Sequence, residues 1–229
     1  MPDPHRVLFE AIITDDRAAV RSLVRADAAA MARATAKEGW LERRIDHWIY
    51  AGDTGLHLAA AGYRVEIALC LLAAGADPNA ANNHRSGRPL HYAADGYVIS
   101  ANWNPKLQVA TIQLLVEAGA EIDAPDKNGA TALHRAVRTR CAAAVRALLD
   151  AGADPTIRNK PGSTPFHLAA QNTGRGGSGA ETAKQAQREI IQIFLAHGVS
   201  PKIKDANGKS VVDWARTQWV RELTGGGEA

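Results

Sequence analysis

The sequence predicts an all-α solenoid of stacked helix-turn-helix repeats joined by long hairpin-like loops, and three observations carry that prediction. A large apolar residue, His, any residue and Ala recur as Leu56-His57-Leu58-Ala59, Leu90-His91-Tyr92-Ala93, Leu133-His134-Arg135-Ala136 and Phe166-His167-Leu168-Ala169. A second apolar pair follows, with Leu56 to Leu71 and Leu133 to Leu148 both 15 residues apart. A Gly stands three residues after that pair at Gly75, Gly119, Gly152 and Gly198. Internal repetition of this kind decides the fold before any local reading does.

Each unit then reads as helix, turn, helix, Gly stop and loop. The first unit is a weak copy, Leu8-Phe9-Glu10-Ala11, with its pair at Leu23-Val24. Thr54, Thr131, Thr164 and Ser210 precede first helices, where a hydroxyl caps free N–H groups. Pro89 and Pro165 stand at the first helical position, where a missing N–H costs nothing. Second helices carry apolar residues at helical spacing, as in Ala144, Val145, Leu148 and Leu149. The Gly sits where a left-handed C-cap is needed. The last copy, Val212-Asp213-Trp214-Ala215, replaces His by Asp.

Gly162-Ser-Thr-Pro-Phe-His-Leu-Ala-Ala170 and Leu148-Leu-Asp-Ala-Gly-Ala-Asp-Pro155 resemble the ankyrin repeat, a unit of about 33 residues with a T-P-L-H-x-A signature. The resemblance spans four good copies and two degenerate terminal ones. It implies an ankyrin-type solenoid in a single domain, 1–229, with units near 5–35, 52–86, 87–128, 129–161, 162–207 and 208–223. Arg88 stands where the signature has Thr, and Gly55 and Ala132 where it has Pro.

Three segments exceed the unit, near 36–50, 95–106 and 172–185. In the first, Leu41, Ile45, Trp48 and Ile49 share one face of a helix, so a short amphipathic helix is expected. The second carries Tyr97, Val98, Ile99 and Trp103; the third is Gly-rich between Gly174 and Gly179 and reads as a mobile loop. The last two interrupt helix-helix turns and should project from the edge opposite the inter-unit loops.

Composition narrows the function classes. Apolar residues make up 46% and charged residues 22%, which suits a folded globular chain. The longest apolar run is Ile67 to Ala76, too short to span a membrane, and no secretory signal opens the chain. Two cysteines, Cys70 and Cys141, make no disulfide framework and point to a cytoplasmic setting. A net charge of +3, with basic residues interspersed among acids, argues against nucleic acid. His57, His91, His134 and His167 fall one per unit, too far apart to share a metal ion, and are read as fixing each loop to its helix start. Asn207-Gly208-Lys209-Ser210 lacks the earlier Gly of a phosphate loop. No catalytic constellation stands out, and no cofactor is expected; a site between insertion and groove needs converging titratable groups, and Asp46, His47 and a first-helix residue within hydrogen-bond reach would reopen that reading.

The expected role is non-enzymatic binding of a partner protein by a monomer. The resemblance implies a concave surface of first helices and loop tips as the contact. Tyr92, Arg135 and Arg138 are the expected central contacts, flanked by Arg85, Lys127 and Arg158, and their charge favours an acidic partner. Trp40, Trp48 and Trp103 lie in or beside segments the repeat does not require. Such aromatics either anchor a partner or fold back on the stack. The alternative role is a dedicated inhibitor or regulator of one enzyme, acting through the extended first loop.

Overall fold

The computed structural model describes residues 4–96, 98, 100–171 and 179–225. Helix pairs follow the repeat: α1 (Pro4–Ile13) with α2 (Arg17–Ala26), α4 (Gly55–Ala61) with α5 (Val65–Ala73), and α6 (Pro89–Ala94) with α7 (Pro105–Glu117). Then come α8 (Ala132–Arg138) with α9 (Ala142–Asp150), α10 (Pro165–Ala170) with α11 (Glu181–Ala196), and α12 (Val211–Trp214) with α13 (Gln218–Leu223). The first loop adds α3 (Ala28–Arg33) and two strands, β1 (Trp40–Glu42) and β2 (His47–Ile49). Each first helix packs on the next first helix, and each second helix on the next second helix, giving two layers. The repeated anchors Leu8, Leu56, Leu90, Leu133 and Phe166 are buried between them, whereas Val212, the anchor of the last copy, is half-buried beside the buried Val211. No unit could bury these residues alone, so stacking makes the core.

The repeat histidines join the units. The Thr54 N–H donates to His57 Nδ1 at 3.0 Å, which leaves the proton on Nε2, and Nε2 donates to the Gly87 carbonyl of the next unit at 3.0 Å. His91 repeats this between the Arg88 N–H and the Ala130 carbonyl, and His134 between the Thr131 N–H and the Ser163 carbonyl. His167 pairs with the Thr164 hydroxyl and reaches the Lys209 carbonyl. Burial pushes all four imidazoles below their ordinary pKa, His91 to about 4, so they stay neutral. Asp213 keeps the inward half of this device, accepting from the Ser210 N–H at 2.7 Å, but has no donor for a further unit. Arg88 fills the missing Thr position without harm, because the backbone N–H supplies the bond.

After the second helices, Gly75, Gly119, Gly152 and Gly198 adopt φ between +74° and +92°, the left-handed stop expected of them. Where no insertion interrupts the helix-helix turn, a non-glycine takes the left-handed position instead: Asp15, Tyr63 and Arg140, at φ +58°, +54° and +63°. Tyr63 is held there by its hydroxyl, which donates to the Asp95 carbonyl at 2.8 Å.

The first insertion departs from expectation. It forms an antiparallel hairpin, not an amphipathic helix, with Trp40 opposite Ile49, Leu41 opposite Trp48 and Glu42 opposite His47. Leu41 and Trp48 point outward, 41% and 53% exposed, while Ile45 and Ile49 are buried. The alternation was masked by reversed polarity: the inward positions include Glu42 and His47, and the outward pair is apolar. Glu42 tolerates burial because Arg44 wraps it, donating from Nε and Nη2 at 2.8 Å each. That pairing holds the Glu42 carboxyl at about 2.

The second insertion sits at the α6–α7 turn, with Tyr97 and Ile99 outside the described residues. Trp103 is half-buried and its indole N–H donates to Gln108 Oε1 at 3.0 Å. The Gly-rich centre of the third insertion, 172–178, also lies outside the described residues. Its remainder lengthens the second helix: α11 has 16 residues against 9 in α5.

Candidate functional site

The hairpin does not project away from the stack. Its base is closed by the Ala36 N–H donating to the Asp53 carbonyl and the Gly52 N–H to the Ala36 carbonyl, both at 2.8 Å. From there it lies along the first helices of the second and third units. Ile45 meets the α4–α5 turn, where a Cβ on Gly62 would come 2.8 Å from it. At the tip, Asp46 adopts φ +49° and bonds Ser100 and Asn102 of the second insertion. The two insertions therefore touch, although one belongs to a loop and the other to a helix-helix turn.

Beneath the hairpin lies a buried polar network. The His47 ring stacks on Tyr92, centroids 4.4 Å apart, and the His57 ring meets Tyr92 edge-on at 5.0 Å. The Tyr92 hydroxyl donates to the Asp53 carboxylate at 2.8 Å. That carboxylate also accepts from Asn82 Nδ2 at 2.8 Å and from the Tyr50 N–H at 2.7 Å. Burial and the adjoining carboxylate raise the Tyr92 phenol far above its ordinary value, so it remains a donor. One unit further on, Arg135 bridges two carboxylates, Asp95 Oδ2 at 2.9 Å and Asp126 Oδ2 at 3.0 Å. Burial alone would raise Asp95; His47 and Arg135 outweigh it and hold the carboxyl at about 2. Asp126 is further engaged by the Asn128 and Ala130 N–H groups.

Two of the expected central contacts are thereby corrected. Tyr92 and Arg135 are not free surface positions but are 1% and 6% exposed. The hairpin roofs the first, and the second is consumed between two units. Arg138 remains open, 58% exposed in its side chain, with Asp95 Oδ1 at 3.9 Å. Arg85 and Lys127 are exposed. Arg158 is exposed but tied to the next loop, with Nη2 donating to the Lys204 carbonyl at 2.6 Å. Of the tryptophans, Trp48 is the open one; Trp40 is half-buried, its indole N–H 3.4 Å from Glu42 Oε2.

The space left between hairpin and first helices is a cleft of about 270 Å³. His47, Trp48, Tyr50, Arg85, Arg138 and Thr139 are among its walls. Tyr50 closes one side by stacking on His84 at 4.4 Å. Asp46 is turned to the second insertion, and His47 Nε2 stands 3.8 Å from Asp95, beyond hydrogen-bond reach. The residues that sequence reasoning missed are Asp53, Asn82 and Asp95 as network members. The available signal was Tyr92 and Arg135 occupying the variable slot of the repeat where two other units carry Leu58 and Leu168.

Comparison with known proteins agrees with this architecture. A family model described as ankyrin repeats, in three copies, matches residues 98–205, and a single ankyrin repeat model matches residues 51–83. Among solved structures, an ankyrin repeat domain from Acinetobacter baumannii AYE is similar, with a TM-score of 0.70 at 22% identity, covering 95% of this chain and 94% of that one. No curated protein sequence matches the chain. Among the described residues, no helix is long and apolar enough to cross a membrane. The histidine-bridged units, the family matches and the shared fold lead to one conclusion: the chain belongs to the ankyrin repeat family, whose members generally serve in protein–protein interaction.

Proposed function

We propose that this chain is a non-enzymatic module that binds a partner protein on its concave side, at the mouth of the cleft beneath the hairpin. The observation that carries this reading is an imbalance of charge. The carboxylates of the cleft are occupied internally: Asp53 by Tyr92 and Asn82, Asp95 and Asp126 by Arg135, and Asp46 by Ser100 and Asn102. Arg138 and Arg85 are left facing outward, with Lys127 nearby in the adjoining loop. An acidic partner surface complements them, and such complementarity governs association rate and specificity. A rigid, preformed surface also loses little entropy on binding.

A second reading, regulation of one enzyme through the first loop, is favoured by the outward face of the hairpin. Leu41 and Trp48 stand side by side there and are among the most exposed large apolar residues of the described chain. A Trp of this kind fits the cleft of a partner. Affinity capture from an extract of the source cell, comparing wild type with Arg85→Glu/Arg138→Glu and Leu41→Ala/Trp48→Ala, separates the two. A partner lost with the charge reversal supports the cleft mouth. A partner lost with the apolar pair supports the hairpin as a probe. A partner retained by both variants contradicts both readings.

A further inference from the structure

The loops between units form a continuous backbone ladder. Each loop closes on itself: the Asn82 N–H donates to the Gly87 carbonyl, Asp126 to Ala130, Asn159 to Ser163 and Asp205 to Lys209. Neighbouring loops are joined edge to edge. The Lys127 N–H donates to the Arg85 carbonyl at 2.7 Å, Lys160 to Asn128 at 2.9 Å and Ala206 to Gly162 at 2.9 Å. Each unit thus adds two limbs to the ladder. At about 4.8 Å per limb, the tips recur roughly every 10 Å.

Arg85, Lys127 and Lys160 stand at three successive tips, one per unit, and all are exposed. Among the described residues none of the three is ion-paired. The carboxylates that could neutralise them are turned inward. Asp126 accepts from Arg135 and from two backbone N–H groups. Asp205 is buried as well, accepting from the Trp214 indole N–H at 3.0 Å and from the Asn207 and Lys209 N–H groups. At the end of α6, Asp95 is held by Arg135, while Arg138 of α8 adds a further outward cation. Ala206 takes the corresponding place at the fourth tip and ends the row. The result is a line of positive charge of fixed pitch on a hydrogen-bonded frame.

A chain that matches this line must present an anion about every 10 Å along one face. A β-strand covers that distance in about three residues, but residues i and i+3 then point to opposite faces. An α-helix repeats its face at the seventh residue, but at about 10–12 Å across it is too bulky to enter the cleft that Arg85 borders. Polyproline II has three residues per turn and rises about 3.1 Å per residue, so residues i, i+3 and i+6 share one face about 9 Å apart. We propose that Arg85, Lys127 and Lys160 form a docking track for an extended acidic segment of the partner, in polyproline II conformation with Asp or Glu at every third residue, entering at the cleft mouth beside Arg138. This rests on the reading of the cleft mouth as the binding site and adds the conformation and spacing of what binds there. Such a segment is largely ordered before it binds, so little entropy is lost.

Fluorescence anisotropy of the full chain with two labelled synthetic peptides of one composition tests the track. One peptide is four repeats of Glu-Pro-Pro; its isomer carries the four Glu in one block. An exposed ion pair is worth up to about fivefold in affinity, and the blocked isomer reaches fewer cations at once. The spaced peptide should therefore bind about tenfold more tightly at low salt. Lys127→Gln/Lys160→Gln, at two exposed positions, should erase that difference without changing the thermal midpoint. Binding of neither peptide, equal affinity of the two, or a preference that survives in the double variant would overturn the track. Tighter binding of a single-stranded oligonucleotide of equal charge would overturn it as well. A captured partner that needs Arg85 and Arg138 but binds Lys127→Gln/Lys160→Gln as it binds wild type would overturn the track and leave the cleft mouth in place.

Discussion

The repeat stack and the hairpin cleft use the same residue type in opposite ways. In the stack, His57, His91 and His134 each accept at Nδ1 from a backbone N–H and donate at Nε2 to the next unit's carbonyl. Every polar atom has a partner, the ring is neutral, and the bond is a fixed rivet. In the cleft, His47 donates at Nδ1 and leaves Nε2 facing a carboxylate. The same side chain is fixed at both ring nitrogens in the stack and at one in the cleft. Residue identity and repeat phase alone do not distinguish the two; the partner at each ring nitrogen does.

The largest expected effect lies where the two regions meet. Arg135→Ala leaves Asp95 and Asp126 buried without their shared cation, and should cost about 3–5 kcal/mol in denaturant unfolding. A loss below 1 kcal/mol would mean that solvent reaches the pair and that the network is not buried. For the same reason Arg135 is a poor probe of partner contact, and Arg138 the better one. Within the stack, His134→Ala removes the cap of α8 and the bond to the Ser163 carbonyl together, and should cost about 3 kcal/mol.

Acid sharpens the contrast. The four repeat imidazoles are held below their ordinary value, so the unfolded chain takes up protons before the folded one does. Their contribution is complete above the ordinary imidazole value and disappears as pH falls through the lower folded one, about 4 for His91. That single residue accounts for a loss on the order of 3 kcal/mol. Thermal unfolding followed with falling pH should thus show a weakening stack. His91→Gln should lessen the acid sensitivity of the stack. The smallest effect is expected at Trp48→Ala, which should change global stability by less than about 0.5 kcal/mol because the indole faces outward. A larger loss would mean that the side chain packs on the stack after all.

The stack was legible because its signals are local and repeated. Thr54, Thr131 and Thr164 stand at helix N-caps, where their hydroxyls meet the repeat histidines and not the expected backbone N–H groups, Gly75 and Gly152 stop helices, and the spacing between Leu133 and Leu148 carries the helix pair without reference to anything distant. The hairpin was not legible, because its pattern depends on what lies beneath it. Leu41 outward and Glu42 inward invert the usual rule, and only Arg44 and the first helices make that inversion stable. Tyr92 and Arg135 are legible as free first-helix positions, yet their partners Asp53 and Asp95 come from other units. Two of these contacts join residues 39 and 40 positions apart, a separation that no periodicity encodes.

The hairpin lies against the first helices and roofs the second and third units. Proton–proton contacts between the aromatic rings of His47 and Tyr92 test it most directly, in protein labelled selectively at these two residue types. Stacking at 4.4 Å predicts strong cross-relaxation between the two rings, abolished by Tyr92→Leu. No contact between the rings, with His47 showing the relaxation of a solvent-exposed side chain, would contradict it.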